Sequence, residues 1–402
     1  MPTIWNANHL NEKVLRKKIF VLLSRVPFPL EKGDKLRAFH QIKGMSASHD
    51  IILCALSDTR ITDEARQFLQ PYVKYLYTFH LSRIGILWNL GLNIFSSRPF
   101  QVAYFFRKAI QNKIKEIIQH HQPDYYYCQL IRTAEYLKDA DIRKTLDYQD
   151  VFSRGLYRRW QVAPWYRKFI LGMEYRRVLR YEEMVFDQFD KKTIISYPDR
   201  DHIPHIDRDR IEVVPNGVDF GYFRPVQTEK DFDIIFTGNM AYPPNINGAN
   251  YLVRRVMPHV WKEFPDTRVV IAGANPSIAV KNLQSEKVVV TGWVDDMRPY
   301  YNRSKIFVAP MQIGTGLQNK VLEAMAMQLP CITSPLANDA LSAPEGEAVL
   351  VGHTPVHFAK HIVSLLHNAE LRKQLADNGS HFVRSNYKWS KVCERLLEII
   401  TD

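Results

Sequence analysis

The chain has 402 residues, 46% hydrophobic and 24% charged. That is more than one hydrophobic core accommodates and suits two domains, and the balance excludes a disordered or fibrous chain. The net charge of +12 is uneven: 35 Lys+Arg face 23 Asp+Glu in residues 1–210, but 19 face 19 in residues 211–402.

A basic first half implies an anionic partner, such as nucleic acid, a membrane surface or a phosphorylated substrate. Cys54, Cys128, Cys331 and Cys393 lie apart among apolar neighbours. They read as small core residues of a reducing, cytoplasmic protein, without a disulfide frame or zinc site. No N-terminal segment has the apolar run of a signal peptide. The best membrane candidate, "IGILWNLGLNIF" (Ile84–Phe95), falls short of the ~20 residues a span needs.

In chain order, "KKIFVLLS" (Lys17–Ser24) reads as a buried strand, followed by a loop and a helix from about Leu36. "HDIILCALS" (His49–Ser57), "PDYYYCQL" (Pro123–Leu130), "RKTLDYQD" (Arg143–Asp150) and "KKTIISY" (Lys191–Tyr197) are further strands with helical text between them. A second set opens at "RIEVVPNGVD" (Arg210–Asp219). It continues through "FDIIFTG", a helix over Asn247–Phe264, "RVVIAG", "KVVVTGWV" and "KIFVAP". Alternation of this kind predicts two doubly wound parallel α/β sheets. The expected domains are residues 1–210 and 211–385, facing a cleft, with a terminal amphipathic helix over 386–402 packing back on the first.

"GTGLQNKVLEAMAMQLPCITS" (Gly314–Ser334) carries the chemistry. It predicts a glycine-bracketed turn, a helix from about Leu317 to Met327, and a strand. Free N–H groups and the dipole at a helix N-terminus attract phosphate. Gly314 and Gly316 allow close backbone approach. Lys320 lies in the first turn and adds a point charge toward a diphosphate. Glu323 follows one turn later, where a carboxylate suits ribose hydroxyls. An ordinary helix with a surface Lys–Glu pair fits the same spacing.

Five ordered stretches are familiar: "VVPNGVDFGYFRP", "FTGNMAYPPN", "VVIAGANP", "VTGWVDDMRPYY" and the glycine-turn segment. Together they resemble the retaining glycosyltransferases of family 4, which have the GT-B fold, and most of all the bacterial transferases of exopolysaccharide and exosortase systems. The resemblance covers the whole C-terminal half. It is thinner in the N-terminal half, through "RVPFPLEKGDKLRAFH", "LDYQDVFS" and "YEEMVFDQFDKKTIISYPD".

The resemblance implies transfer of a sugar from a nucleotide-diphosphate donor to a glycan or polyprenyl-phosphate-linked acceptor, with no metal or other cofactor. By position, Glu323 matches the ribose-binding glutamate, and Gly314, Thr315, Gly316 and Leu317 the loop facing donor sugar and diphosphate. Thr315 stands where many relatives carry another glutamate. Gly238 is a further donor-side position, and after it Asn239 and Asn245 stand where relatives place an arginine and a lysine on the diphosphate, so Lys320, and more weakly Arg298, is expected to supply that charge. Val294 and Asp295 occupy the base-binding position.

In the N-terminal half, Asp150 and then Asp147 are expected at a strand end facing the cleft, touching donor sugar or acceptor. Asp150 as a helix cap is the competing reading. Gly33, Asp34 and Arg37 resemble the acceptor-side loop, Tyr197 and Asp199 are weaker candidates, and Glu182 reads as packing. "DRD" at Asp199–Asp201 and Asp207–Asp209 mimics a metal-binding DxD but falls at the domain junction. The histidines read as surface or core residues rather than ligands. The basic, aromatic Arg154–Arg180 stretch suits either an anionic membrane face or a solvated helix. Alternatives are a GT-B sugar-nucleotide epimerase or phosphorylase and, distantly, a nucleic-acid-binding protein.

Overall fold

The computed structural model describes residues 16–30, 32–314 and 316–402. Two sheets organise them. The first contains β1 (Lys18–Leu23), β2 (Asp50–Ser57), β3 (Tyr75–His80), β4 (Tyr125–Gln129), β5 (Lys144–Asp147), β6 (Lys191–Ile194) and β7 (Glu212–Val213). Their order is β3-β2-β1-β4-β5-β6-β7, with parallel pairing throughout. The second contains β8 (Phe232–Thr237), β9 (Val269–Ala272), β10 (Val288–Val290), β11 (Ser304–Ala309), β12 (Cys331–Thr333) and β13 (Leu350–Val351). It runs β10-β9-β8-β11-β12-β13, also parallel.

Central strands of such sheets are covered on both faces, so they read as unbroken apolar runs. In β1, Ile19 to Leu23 are all buried. Winding reverses between β1 and β4 in the first sheet and between β8 and β11 in the second, and ligands collect outside the strand C-termini at such switch points. The expected pair of doubly wound sheets is therefore the architecture found.

Four details depart from expectation. β3 was not anticipated; its residues are only partly covered, so it lacks the apolar signal. The two-residue β13 is too short to show one. Glu212–Val213, read as opening the second set, pair with Thr193–Ile194 and close the first sheet. The single helix expected over Asn247–Phe264 is interrupted. It runs Pro243–Tyr251, widens to a π-type turn at Leu252–Val256 and ends at Met257–Val260. Pro258 lacks an N–H and its ring crowds the preceding turn, which breaks regular α geometry.

The terminal helix Trp389–Thr401 packs on the first domain. Its Cys393 approaches Gly44 so closely that a Cβ there would lie 2.4 Å from the cysteine Cβ, and Trp389 stacks on His40 at 4.6 Å.

Candidate functional site

The glycine turn and its helix sit at the C-terminal edge of the second sheet. The helix spans Asn319–Ala326, within the expected range, and Gln318 offers its first turn no side-chain cap. Open first-turn N–H groups make an anion site. Gly314 and Gly316 have φ of +123° and +78°. A Cβ on Gly316 would also stand 3.2 Å from Asp199 Oδ2 of the first domain. The backbone conformation favours glycine there, and the clearance is tight enough that Asp199 would have to shift for any other residue. Thr315 lies outside the described residues, and Leu317 is half-buried against the second core.

Lys320 is built into the wall of this site. Its ammonium donates to Asn245 Oδ1 and lies 4.9 Å from the Phe236 ring centre. Burial drives its pKa down to about 7, against the opposing pull of Glu323. Asn245 is itself fixed by donating 3.0 Å to the Asn239 carbonyl, and a Cβ on Gly238 would strike its Nδ2 at 2.6 Å. Asn245 therefore supports Lys320 rather than replacing a missing cation.

One turn on, Glu323 Oε2 accepts from the Tyr301 hydroxyl at 3.0 Å, and that hydroxyl also lies 3.0 Å from Thr237 Oγ1. Burial raises the Glu323 carboxyl above its ordinary range, opposed by Tyr301 and Lys320. Arg298 is occupied: it grips Asp296 at 2.7 Å and stacks over Tyr222 at 4.1 Å. Val294 is half-buried, while Asp295 is exposed and accepts the Trp293 indole N–H at 3.2 Å.

Across the cleft, Asp150 is exposed, and its Oδ1 accepts the neighbouring Val151 N–H at 2.7 Å. The following helix, Phe152–Val162, has Val151 as its N-cap, so Asp150 does not cap it. Asp147 does not face the cleft. It is fully buried, and the Arg37 Nε donates to it at 2.7 Å. Arg37 is likewise sealed, and so is not on an acceptor loop. A β5 residue at this register points into the first core, where a charge survives only when paired. Asp34 pairs with Arg25 at 2.6 Å, and Gly33 opens the helix Gly33–Ser46 with open space where a Cβ would stand. Tyr197 is 56% exposed beside the site, and Glu182 is buried, accepting the Ser153 N–H.

Two groups carry more than the sequence suggested. Asp199 is 2% exposed, its Oδ2 accepts the Ser196 hydroxyl at 2.5 Å, and burial with nearby Asp150 pushes its pKa up to about 7. Arg132 lies over the Phe152 ring at 4.6 Å, within electrostatic reach of Asp34 and Asp150, and its buried Nε has no partner among the described residues. Arg132 belongs to no recognisable short motif, and the motif that contains Asp199 points to a metal rather than to this role. The "DRD" signals are consumed locally, Asp199 by Ser196, Asp201 and Asp209 by Arg200, and Asp207 by Arg210.

Among the described residues no cluster of His, Cys, Asp or Glu could hold a metal ion. His353, His357 and His361 do recur every fourth residue, which a reading of scattered histidines overlooks. Their rings stand 5.6 and 4.4 Å apart, and His361 bonds the Val351 carbonyl.

Residues 231–368, which contain the glycine turn, Lys320 and Glu323, match the family model for glycosyl transferases group 1. The protein is a glycosyltransferase. An uncharacterized 44.6 kDa protein in the cps region of Klebsiella pneumoniae is 24% identical over 93% of this chain and 97% of its own length. Among solved structures, sucrose-phosphate synthase from Thermosynechococcus elongatus superimposes with a TM-score of 0.66 at 13% identity, covering 95% of this chain and 98% of that one. Anabaena Alr3699/HepE in complex with UDP-glucose gives 0.65 at 11% identity, covering 94% and 98%. The fold of this glycosyltransferase is GT-B.

Proposed function

We propose that this glycosyltransferase moves a sugar from a nucleoside-diphosphate sugar, with retention at the anomeric carbon, to a glycan or polyprenyl-phosphate-linked acceptor in cell-surface polysaccharide synthesis. The observation that carries the proposal is the convergence of the uncapped helix Asn319–Ala326, Lys320 and Glu323 on one corner of the cleft.

In this reading the diphosphate lies on the first-turn N–H groups and beside Lys320. Fixed dipoles and a cation placed where charge develops lower the barrier without reorganising water. Glu323, oriented by Tyr301, accepts hydrogen bonds from the ribose. Asp150 meets the donor sugar or acceptor from the opposite domain, with Arg132 as the nearby cation. The UDP-glucose complex of the Anabaena neighbour and the Klebsiella relative's cps location support a nucleotide-sugar donor and a polysaccharide context.

Calorimetric titration with UDP, GDP and ADP, followed by NMR of the anomeric product, tests this. One nucleoside diphosphate should bind selectively, and its hexose conjugate should give a product of unchanged anomeric configuration. No binding by any of the three, or an inverted product, overturns the proposal.

A further inference from the structure

A cavity of about 640 Å³, separate from the cleft residues described above, lies between the loop 93–98 and the helix Trp165–Asp187. Arg98, Lys138, Arg176, Arg177 and Arg180 line it against one carboxylate, Glu135. Glu135 is already shared by Arg98 at 2.6 Å, Lys138 at 3.4 Å and the Tyr181 hydroxyl at 2.9 Å. Arg176, Arg177 and Arg180 form no ion pair among the described residues. Arg177 Nη2 donates to the Ile94 carbonyl, tying loop to helix, while its buried Nη1 has no partner there.

The rim of this cavity is apolar. Phe95 is 98% exposed and Met184 39%. The helix Arg83–Leu92, which leads into the loop, turns Ile84, Leu87, Trp88 and Leu92 outward, none below 66% exposure. Along Trp165–Asp187, spacings of three and four place Trp165, Phe169, Met173, Arg176, Arg180 and Met184 on one stripe. The exposed aromatics of that stripe thus run directly into the arginines of the cavity. The segments Leu81–Lys115 and Val151–Tyr181 hold fourteen Lys+Arg and a single acid, Glu174, an excess larger than the net +12 of the whole chain. Glu174 is buried and accepts the Gln101 N–H.

Contiguous exposed apolar surface of this kind marks an interaction site. A nucleic acid would engage the cations but leave Ile84, Leu87 and Leu92 in water. An apolar protein partner would cover those residues and strand the arginines. An anionic bilayer satisfies both, because aromatic and aliphatic side chains enter the interface while arginines meet phosphates. Among the described residues no helix is long and apolar enough to cross a membrane, so such contact would be peripheral.

We propose that this face docks the protein on an anionic phospholipid bilayer, with one lipid phosphate seated in the cavity among Arg98, Arg176 and Arg180. Its test does not require the donor reading to hold.

Sedimentation of the full chain with phosphatidylcholine vesicles, with and without phosphatidylglycerol, tests the proposal. Capture is expected only with phosphatidylglycerol and should weaken as salt rises. R176E/R180E should lower partitioning at least about tenfold, and W88S/F95S should also lower it, both keeping the wild-type melting temperature. R159E/K168E, equally basic but outside the cavity, should cost less than R176E/R180E. Equal capture on both vesicles, capture on neither, or wild-type capture by R176E/R180E or W88S/F95S overturns the docking surface. An equal or greater loss in R159E/K168E overturns the phosphate seat. A concentration-dependent dimer in sedimentation velocity, abolished by W88S/F95S, would assign the face to a second copy and overturn the proposal.

Discussion

Arg37 and Asp147, 110 residues apart in sequence, meet at 2.7 Å with side chains 1% and 0% exposed. The same guanidinium donates to the carbonyls of Val214 and Pro215 and to Asn216 Oδ1, and Asn216 Nδ2 reaches Asn319 Oδ1 at 3.1 Å. One buried cation thus ties β5 to the crossover segment and, through Asn216, to the first residue of the glycine-turn helix. Tyr127 and Gln41 complete the shell around Asp147, at 2.8 and 3.3 Å.

Removing one member of a buried pair leaves the other charged and desolvated. R37M should therefore destabilise the protein by about 3–5 kcal/mol, measured by urea denaturation at neutral pH. A loss below about 1 kcal/mol would show that water reaches the site.

In the proposed function Glu323 is a ligand contact and Tyr301, which donates to it, is its support. E323Q should weaken UDP binding about 10- to 100-fold if UDP is the nucleotide bound, since a hydrogen bond to a charged group contributes about 1.5–3 kcal/mol. Y301F should cost only severalfold, because the carboxylate stays while its orienting donor goes. Calorimetry with both variants checks the order, and a larger loss for Y301F contradicts it.

Lys320 makes a pH-dependent prediction. Its folded pKa of about 7 lies below the ordinary lysine value, so the unfolded chain holds more protons between those two values. Its contribution to stability therefore rises with pH across that window and is smallest below about 7. K320M should keep or raise the melting temperature of the free protein, most clearly near pH 6, while weakening diphosphate more than nucleoside. In wild type, diphosphate affinity should fall as pH rises through 7, and binding there should take up a proton. Calorimetry in buffers of different ionisation enthalpy reads that uptake, and its absence rejects the assigned role.

Gly316 is fixed by its neighbour as well as its backbone. G316A meets a φ of +78° and an Asp199 oxygen 3.2 Å from the new Cβ. It should cost about 1 kcal/mol or more and reduce turnover. Adding D199A should recover part of the turnover if the clash across the cleft matters, and no recovery would leave backbone strain as the cause.

The sequence made the β1 and β8 regions legible because doubly covered strands are unbroken apolar runs, and the helix behind Gly316 because a turn, a cation and an acid stand in fixed order. It could not place Asp147. A carboxylate at the end of a strand reads the same whether it faces the cleft or a buried arginine 110 residues away. Asp199 was legible only as a weaker candidate for the converse reason: its burial places it against the glycine turn of the other domain, which no local pattern encodes. Arg132 depends on Phe152 and Asp150, which its own neighbours do not announce.

The helix Trp389–Thr401 gives Val392, Cys393, Leu396, Ile399 and Ile400 to the core that also contains Ile19 and Val21 of β1. During synthesis the first domain leaves the ribosome early yet lacks part of one wall until this helix has emerged. Until then that face of the central strand has only the helix Gly33–Ser46 over it, through Ala38, Phe39, Ile42 and Met45, so a nascent-chain complex stalled before Trp389 should be cut by protease in the first domain, whereas the second should already resist.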